Sequence, residues 1–224
     1  MLVVDTDPQG NATTGLGIDK GRLTHDVYHA LVQDVPLESV IVPTEIELLS
    51  LAPATINLAG ADVELVAALS RETRLRQALA PIAQDYDFVF IDSPPSLGLL
   101  TINALTAASD CIIPVQAEFY ALEGLAQLTN VIWRVRDALN PTLYVSGVLV
   151  TMFDGRTRLA LEVIGELERY FPNEIFKTHV PRNVRLSEEP SYGKPVILFD
   201  PKSRGAQAYT AVAREMLEPA GAPA

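Results

Sequence analysis

The feature that most constrains this chain is a series of short apolar runs, rich in β-branched residues, set between longer stretches of helical spacing. The runs are MLVV (1–4), ELLSLAPA (47–54), DFVFID (87–92), CIIPV (111–115), VSGVLVT (145–151) and IFKTHVP (175–181). Their hydrophobicity is continuous rather than alternating, which suits strands covered on both faces. Between them, 62–84, 117–139 and 157–171 carry helix-like spacing, as in Leu125, Leu128, Val131, Ile132 and Val135. Thr157 offers an N-cap to the last of these helices, and Pro172 a stop. Strand–helix alternation predicts an α/β fold, a doubly wound and mostly parallel sheet with helices on both faces. A chain of 224 residues is expected to form one domain, over 1–218, with a frayed tail at 219–224.

Two of the strands end in acid, in LVVDTD and FVFIDSPP. Ligands of an open parallel sheet bind beyond the carboxyl ends of its strands, so Asp5, Asp7 and Asp92 can converge there. Converging carboxylates suit a hard divalent cation that keeps several waters. The plainer alternative is that each aspartate caps the helix that follows it. The same ending on two strands favours a Mg²⁺ site. Asp-x-Asp after a strand also resembles the aspartyl nucleophile of haloacid-dehalogenase-type phosphatases. That family wants Thr or Val where this chain has Gln9, and the match is poor.

Other residues exclude more than they propose. The one cysteine, Cys111, lies in an apolar run and cannot form an internal disulfide, so it reads as a small buried hydrophobe in a reducing cytoplasm. His25, His29 and His179 show no metal-ligand spacing with each other or with Cys111. Trp133 is expected to pack a helix against the sheet. No stretch is apolar for long enough to cross a bilayer, and the start lacks the basic flank and cleavage site of a signal peptide. Net charge is −11, against an overall nucleic-acid footprint. Residues 175–205 nevertheless set six cations against three acids, a local balance of +3, leaving −14 on the remainder. Any DNA contact has to be local.

Four longer strings, VVDTDPQGNATTGLG, YDFVFIDSPPSLGLLTINAL, VLVTMFDGRTRLALEV and VPRNVRLSEEPSYGKPVILFDPKSRGAQAY, together resemble the ParA/Soj chromosome-partitioning ATPases. These belong to the deviant Walker group that also contains MinD. The resemblance runs in order from residue 1 to about 218. It implies that Asp7 orients or activates the attacking water, that Asp5 supports the Mg²⁺ shell, and that Asp92 is the acid holding Mg²⁺ through water. It further implies that Pro181 and Asn183 line the adenine pocket, and that Arg156 and Arg185 contact DNA without regard to sequence. ATP and Mg²⁺ are the implied cofactors. The implied partners are a ParB/Spo0J-type protein, nucleoid DNA and a second copy of the chain, in the cytoplasm at the nucleoid. The C-terminal AYTAVAREMLEPAGAPA is short, weakly basic and proline-broken, which argues against a MinD-like membrane anchor. One cysteine cannot supply an iron–sulfur cluster.

The resemblance also implies a strand and a loop, K-G-G-x-x-G-K-[ST], upstream of DxDPQGN. The 224 residues contain no such loop; Gly193–Lys194 is their sole Gly-Lys pair and they hold four lysines. That loop supplies most of the positioning and charge for phosphoryl transfer, so ATP hydrolysis by these residues as written is expected to be negligible. The family's first strand lies inside its sheet, so two neighbouring strands are expected to carry bare backbone groups. Its absence is read as a boundary artefact in preference to a short natural protein. Two functions stand: a ParA-type ATPase of chromosome or plasmid segregation, and a non-catalytic ParA-like module that binds DNA or a partner without turnover.

Overall fold

The computed structural model describes residues 1–118, 121–188 and 192–217; the expected tail at 219–224 lies outside them. The described chain is α/β. Its six strands are β1 (Leu2–Asp5), β2 (Val42–Pro43), β3 (Ser50–Ala52), β4 (Val89–Asp92), β5 (Asp110–Gln116) and β6 (Tyr144–Thr151). The helices before β5 are α1 (Asn11–Gly15), α2 (Val27–Val32), α3 (Ala61–Glu64), α4 (Arg74–Leu79) and α5 (Leu99–Ala107). Those after it are α6 (Ala121–Ala138), α7 (Arg158–Tyr170), α8 (Val184–Glu188), α9 (Val196–Phe199) and α10 (Arg204–Leu217).

The chain divides into two compact units. The first comprises Met1–Ser109, Asn130–Leu143 and Pro190–Gly193. Its sheet has the order β2-β3-β1-β4, with β1 parallel to both β3 and β4 and only β2 antiparallel. β1 is central because its side chains vanish into the core: Leu2 and Val4 are fully buried beside Leu31, Leu58, Leu65 and Leu75. β4 is the edge strand of this sheet. Phe88 and Phe90 stack at 6.3 Å and are 47% and 39% exposed, so the expectation of cover on both faces fails there. An edge strand has a paired neighbour on one side only, and its outward residues gain no cover from the sheet.

The second unit comprises Asp110–Thr129, Tyr144–Glu189 and Lys194–Ala224. Here β5 and β6 pair in parallel from Asp110↔Tyr144 to Gln116↔Thr151. β6 is buried continuously from Gly147 to Val150, as its apolar run predicts. Gly147 is required for packing, because a Cβ there would come within 2.2 Å of the Phe176 ring. Leu149, Val180, Ala208 and Val212 form a local core beside Phe176 and Leu186.

Helix signals fare unevenly. Thr157 caps α7 by accepting from Ala160 N at 3.3 Å, and the helix stops before Pro172. Leu125, Ile132 and Val135 of α6 are buried at helical spacing. Trp133 is a correction: it is 51% exposed, with Arg136 5.5 Å from its ring centroid, because it lies off that buried stripe. The helix expected over 62–84 is broken into α3, short 3₁₀ turns at Leu65–Ala67 and Arg71–Thr73, and α4. Ser70 has a φ of 54°, a left-handed backbone that interrupts an α-helix. The run 175–181 makes isolated bridges, Val148↔Ile175 and Phe153↔Pro181, in place of a full strand.

Candidate functional site: an acidic strand-end cluster

The parallel register of β1 and β4 sets Asp5 opposite Asp92, at the carboxyl ends of adjacent strands. Thr6 locks that alignment, donating to the Asp92 carbonyl through its backbone N at 2.8 Å and its hydroxyl at 2.6 Å. The two acid-tipped strands meet as the sequence predicts. Their carboxylates differ sharply in surroundings.

Asp5 is fully buried. Its Oδ2 accepts from Thr13 N at 2.9 Å and Thr13 Oγ1 at 2.7 Å, and its Oδ1 accepts from Asp7 N at 3.1 Å. Burial pushes its carboxyl above the usual range, against the pull of these donors, and the Asp7 charge adds to the rise. Three protein donors thus hold the Asp5 carboxylate against the loop that carries Asp7. Thr13 Oγ1 also accepts from Ala54 N at 3.0 Å, tying the loop to the exit of β3.

Asp7 lies in a tight turn. Its Oδ1 accepts from Gln9 N at 2.9 Å and its carbonyl from Gly10 N at 2.8 Å. Gly10 completes the turn at φ 59°, where a Cβ would come within 2.7 Å of the Ala54 carbonyl. Asp92 is exposed at the tip of β4. Its carboxyl is pushed up to about 6, first by the surrounding protein and then by the charges of Asp5 and Asp7. Water still reaches this residue and tempers the first cause. The loop after it is held by α5: Thr101 Oγ1 donates to the Ser96 carbonyl at 2.5 Å, and Asp62 Oδ1 accepts from Leu99 N at 3.1 Å.

A solvent-facing carboxylate crowded by two others is the donor set a hard cation favours, so Asp92 and Asp7 fit Mg²⁺. Among the described residues, however, no three His, Cys, Asp or Glu side chains could hold a metal. An ion at this site takes its remaining oxygens from water or a ligand, as Mg²⁺ ordinarily does.

The other expected site residues belong to the second unit. Pro181 bridges to Phe153, and Arg182 N donates to the Phe153 carbonyl at 3.3 Å. Asn183 caps α8, its Oδ1 accepting from Arg185 N at 3.0 Å. Among the described residues no hydrogen bond engages its amide Nδ2. Met152, just before Phe153, has a φ of 52°, a strained conformation for a side chain of this kind. The two expected DNA contacts are both ion-paired. Arg156 grips Asp154 with two bonds, at 2.9 and 2.7 Å, which hold the Asp154 carboxyl down at about 2. Arg185 meets Glu188 at 2.8 Å and Asp200 at 3.4 Å.

Comparison with known proteins decides the family. A family model described as an AAA domain matches residues 1–145. The sporulation initiation inhibitor protein Soj of Bacillus subtilis is 55% identical over 96% of this chain and 85% of its own length. The chromosome partitioning protein ParA of Myxococcus xanthus is 53% identical over 97% of this chain and 77% of its own. The chain belongs to the ParA/Soj family.

Solved structures agree with that membership. Cobyrinic acid a,c-diamide synthase of Mycobacterium smegmatis, with bound ADP and magnesium, superposes with a TM-score of 0.83 and 38% identity. The match covers 96% of this chain and 80% of that one. The septum site-determining protein MinD of Pyrococcus horikoshii, at 22% identity and a TM-score of 0.75 over 96% of this chain and 82% of its own, shares the fold. No helix among the described residues is long and apolar enough to cross a membrane.

Three residues that hold the acidic cluster escaped sequence reading: Thr6, Thr13 and Asp62. Thr13 follows Asp5 by eight positions, while Asp62 reaches Leu99 across 37 and Thr6 reaches Asp92 across 86. A threonine eight residues past a strand-end aspartate is too common a pattern to single out. The other two contacts depend on strand order.

Proposed function

We propose that this chain is a partitioning protein of the ParA type that handles Mg²⁺-ATP, dimerises with it, and binds DNA without sequence preference under a ParB-type partner. It would work in the cytoplasm at the nucleoid. The observation that carries the reading is the pinning of Asp5 and Asp92 at the ends of two adjacent parallel strands, with Asp7 on the turn beyond. In this reading Asp92 holds Mg²⁺ through water and Asp7 orients the attacking water. Asp5, held by Thr13, fixes the turn that presents Asp7. Mg²⁺, when bound, would supply charge neutralisation at the phosphates. Pro181 and the free amide of Asn183 line the base pocket.

DNA is contacted by Arg156 and Arg185. Each must exchange a carboxylate partner for phosphate. Exposed ion pairs are worth about 0–1 kcal/mol, so a dense phosphate backbone can win that exchange.

The 224 residues include no K-G-G-x-x-G-K-[ST] loop. We therefore propose, as the second reading, that these residues by themselves bind DNA or partner without turning over ATP. The test has two arms on the 224-residue chain. Steady-state ATPase assays should give a rate at background, and DNA binding should still weaken steeply with salt. The double variant Arg156→Ala/Arg185→Ala should flatten the salt slope by about 2. An unchanged slope would overturn the DNA assignment, and turnover above background would overturn the non-catalytic reading.

A further inference from the structure

Beside the Asp7–Gln9 turn, and wholly within the first unit, lies an open cavity of about 570 Å³. Among its walls are Gln9, Lys20, His25, His29, Thr55 and Asn57. We infer that this cavity is a second ligand site, taking a small phosphate-bearing anion on Lys20, His25 and His29. The inference stands independently of the proposed ATPase role, since none of these residues belongs to the acidic cluster.

One wall of the cavity carries an uncompensated charge. Lys20 is half-buried, and its Nζ donates to the Gln9 carbonyl at 2.5 Å. It reaches that carbonyl by crossing Gly10, where any Cβ would come within 2.7 Å of Lys20 Cε. A main-chain carbonyl satisfies one of three ammonium donors and none of the charge. The acids nearest in sequence are occupied elsewhere. Asp19 is paired with Arg22 at 3.2 Å, and Asp26 is fully buried on His29 and the Thr55 hydroxyl. Lys20 has no ion-pair partner among the described residues.

The imidazoles are arranged to help it. His29 Nδ1 lies 2.7 Å from Asp26 Oδ1 and 3.2 Å from Asp26 N, so side chain and backbone of Asp26 both hold this one ring nitrogen. Those contacts fix the ring and leave Nε2 as its second polar atom, the same device that orients imidazoles at ligand sites. His25 stands edge-on to His29 with 5.0 Å between ring centroids. Asn57 and Thr55 add an amide and a hydroxyl to the wall. A lysine without a counter-ion, two imidazoles and neutral donors around one already-paired acid form a cavity that favours an oxyanion. Because Lys20 holds the Gln9 carbonyl, the occupant would also act on the turn that carries Asp7.

The histidines themselves report the test. Their ring C2–H resonances are followed in the 224-residue chain as inorganic phosphate, pyrophosphate or ADP is added at fixed pH, with ionic strength held by NaCl. His25 and His29 should shift saturably, while His179, packed on Phe153 in the second unit, stays put. Saturation by phosphate or pyrophosphate identifies the free oxyanion as ligand; a response to ADP alone identifies nucleotide-borne phosphate. Lys20→Met should weaken the response about tenfold, the worth of one charge-assisted contact, and Lys20→Arg should preserve it. If Lys20→Met does not fold, His25→Gln, at an exposed position, should weaken binding in its place. Shifts that follow NaCl alone, that move His179 equally, or that survive Lys20→Met unchanged would overturn the inference.

Discussion

One hydroxyl holds much of the acidic cluster together. Thr13 Oγ1 donates to Asp5 and accepts from Ala54 N, so both its roles are used at a position with no solvent access. Thr13→Val should cost about 1–3 kcal/mol in urea unfolding, the penalty for a buried carboxylate short of a donor. Thr13→Ser should recover most of it. Asp92 sets a pH dependence of defined sign. Its folded pKa of about 6 lies above the ordinary 3.8, so the folded protein binds that proton more tightly than the unfolded chain. Its contribution is fully favourable below the unfolded value and is lost as pH rises through about 6. Asp92→Asn should therefore flatten stability across this window and leave the metal-free protein more stable than wild type at neutral pH, as read by urea unfolding at several pH values.

At the scale of elements, Gly147→Ala should destabilise the second unit by about 1–3 kcal/mol, because the added methyl overpacks against Phe176. Loss of the Phe176 contact would show as a lowered melting temperature. β6 was legible in the sequence for the reason that makes it fragile: a strand buried without interruption reads as an unbroken apolar run. β1 and β4 were legible too, with their acid tips. What was hidden depends on distant partners. Periodicity over 62–84 resembles one helix, yet the left-handed Ser70 and two 3₁₀ turns divide it, and Asp62 there serves the start of α5. Trp133 was misread because hydrophobicity marks what can be buried, not which side of a helix is turned outward. The acids Asp5, Asp7 and Asp92 could be chosen from strand chemistry, whereas Thr6 and Thr13 acquire meaning only once the register of β1 against β4 and β3 is known.

For the whole molecule the governing quantity is charge. A net of −11 repels DNA, so the proposed binding would rest on Arg156 and Arg185, and both are already paired with acids. Asp154→Ala frees Arg156 from its two-bond grip and removes a negative charge beside it. DNA affinity should rise several-fold at low salt and converge with wild type at high salt, where screening erases the difference. Fluorescence anisotropy across a salt series would read it; an affinity that falls would mean that Asp154 positions Arg156 for phosphate instead of competing with it.

The central claim is that Asp92, at the end of β4, and Asp7, on the turn after β1, form a divalent-cation site centred on Asp92. It is tested most directly by Mn²⁺ binding, with Mn²⁺ in place of Mg²⁺, followed by electron paramagnetic resonance on the chain with ADP present. Binding should weaken as pH falls through about 6, where Asp92 takes up a proton, and should be lost in Asp92→Asn. Binding in Asp92→Asn equal to that of the unaltered chain would contradict the account.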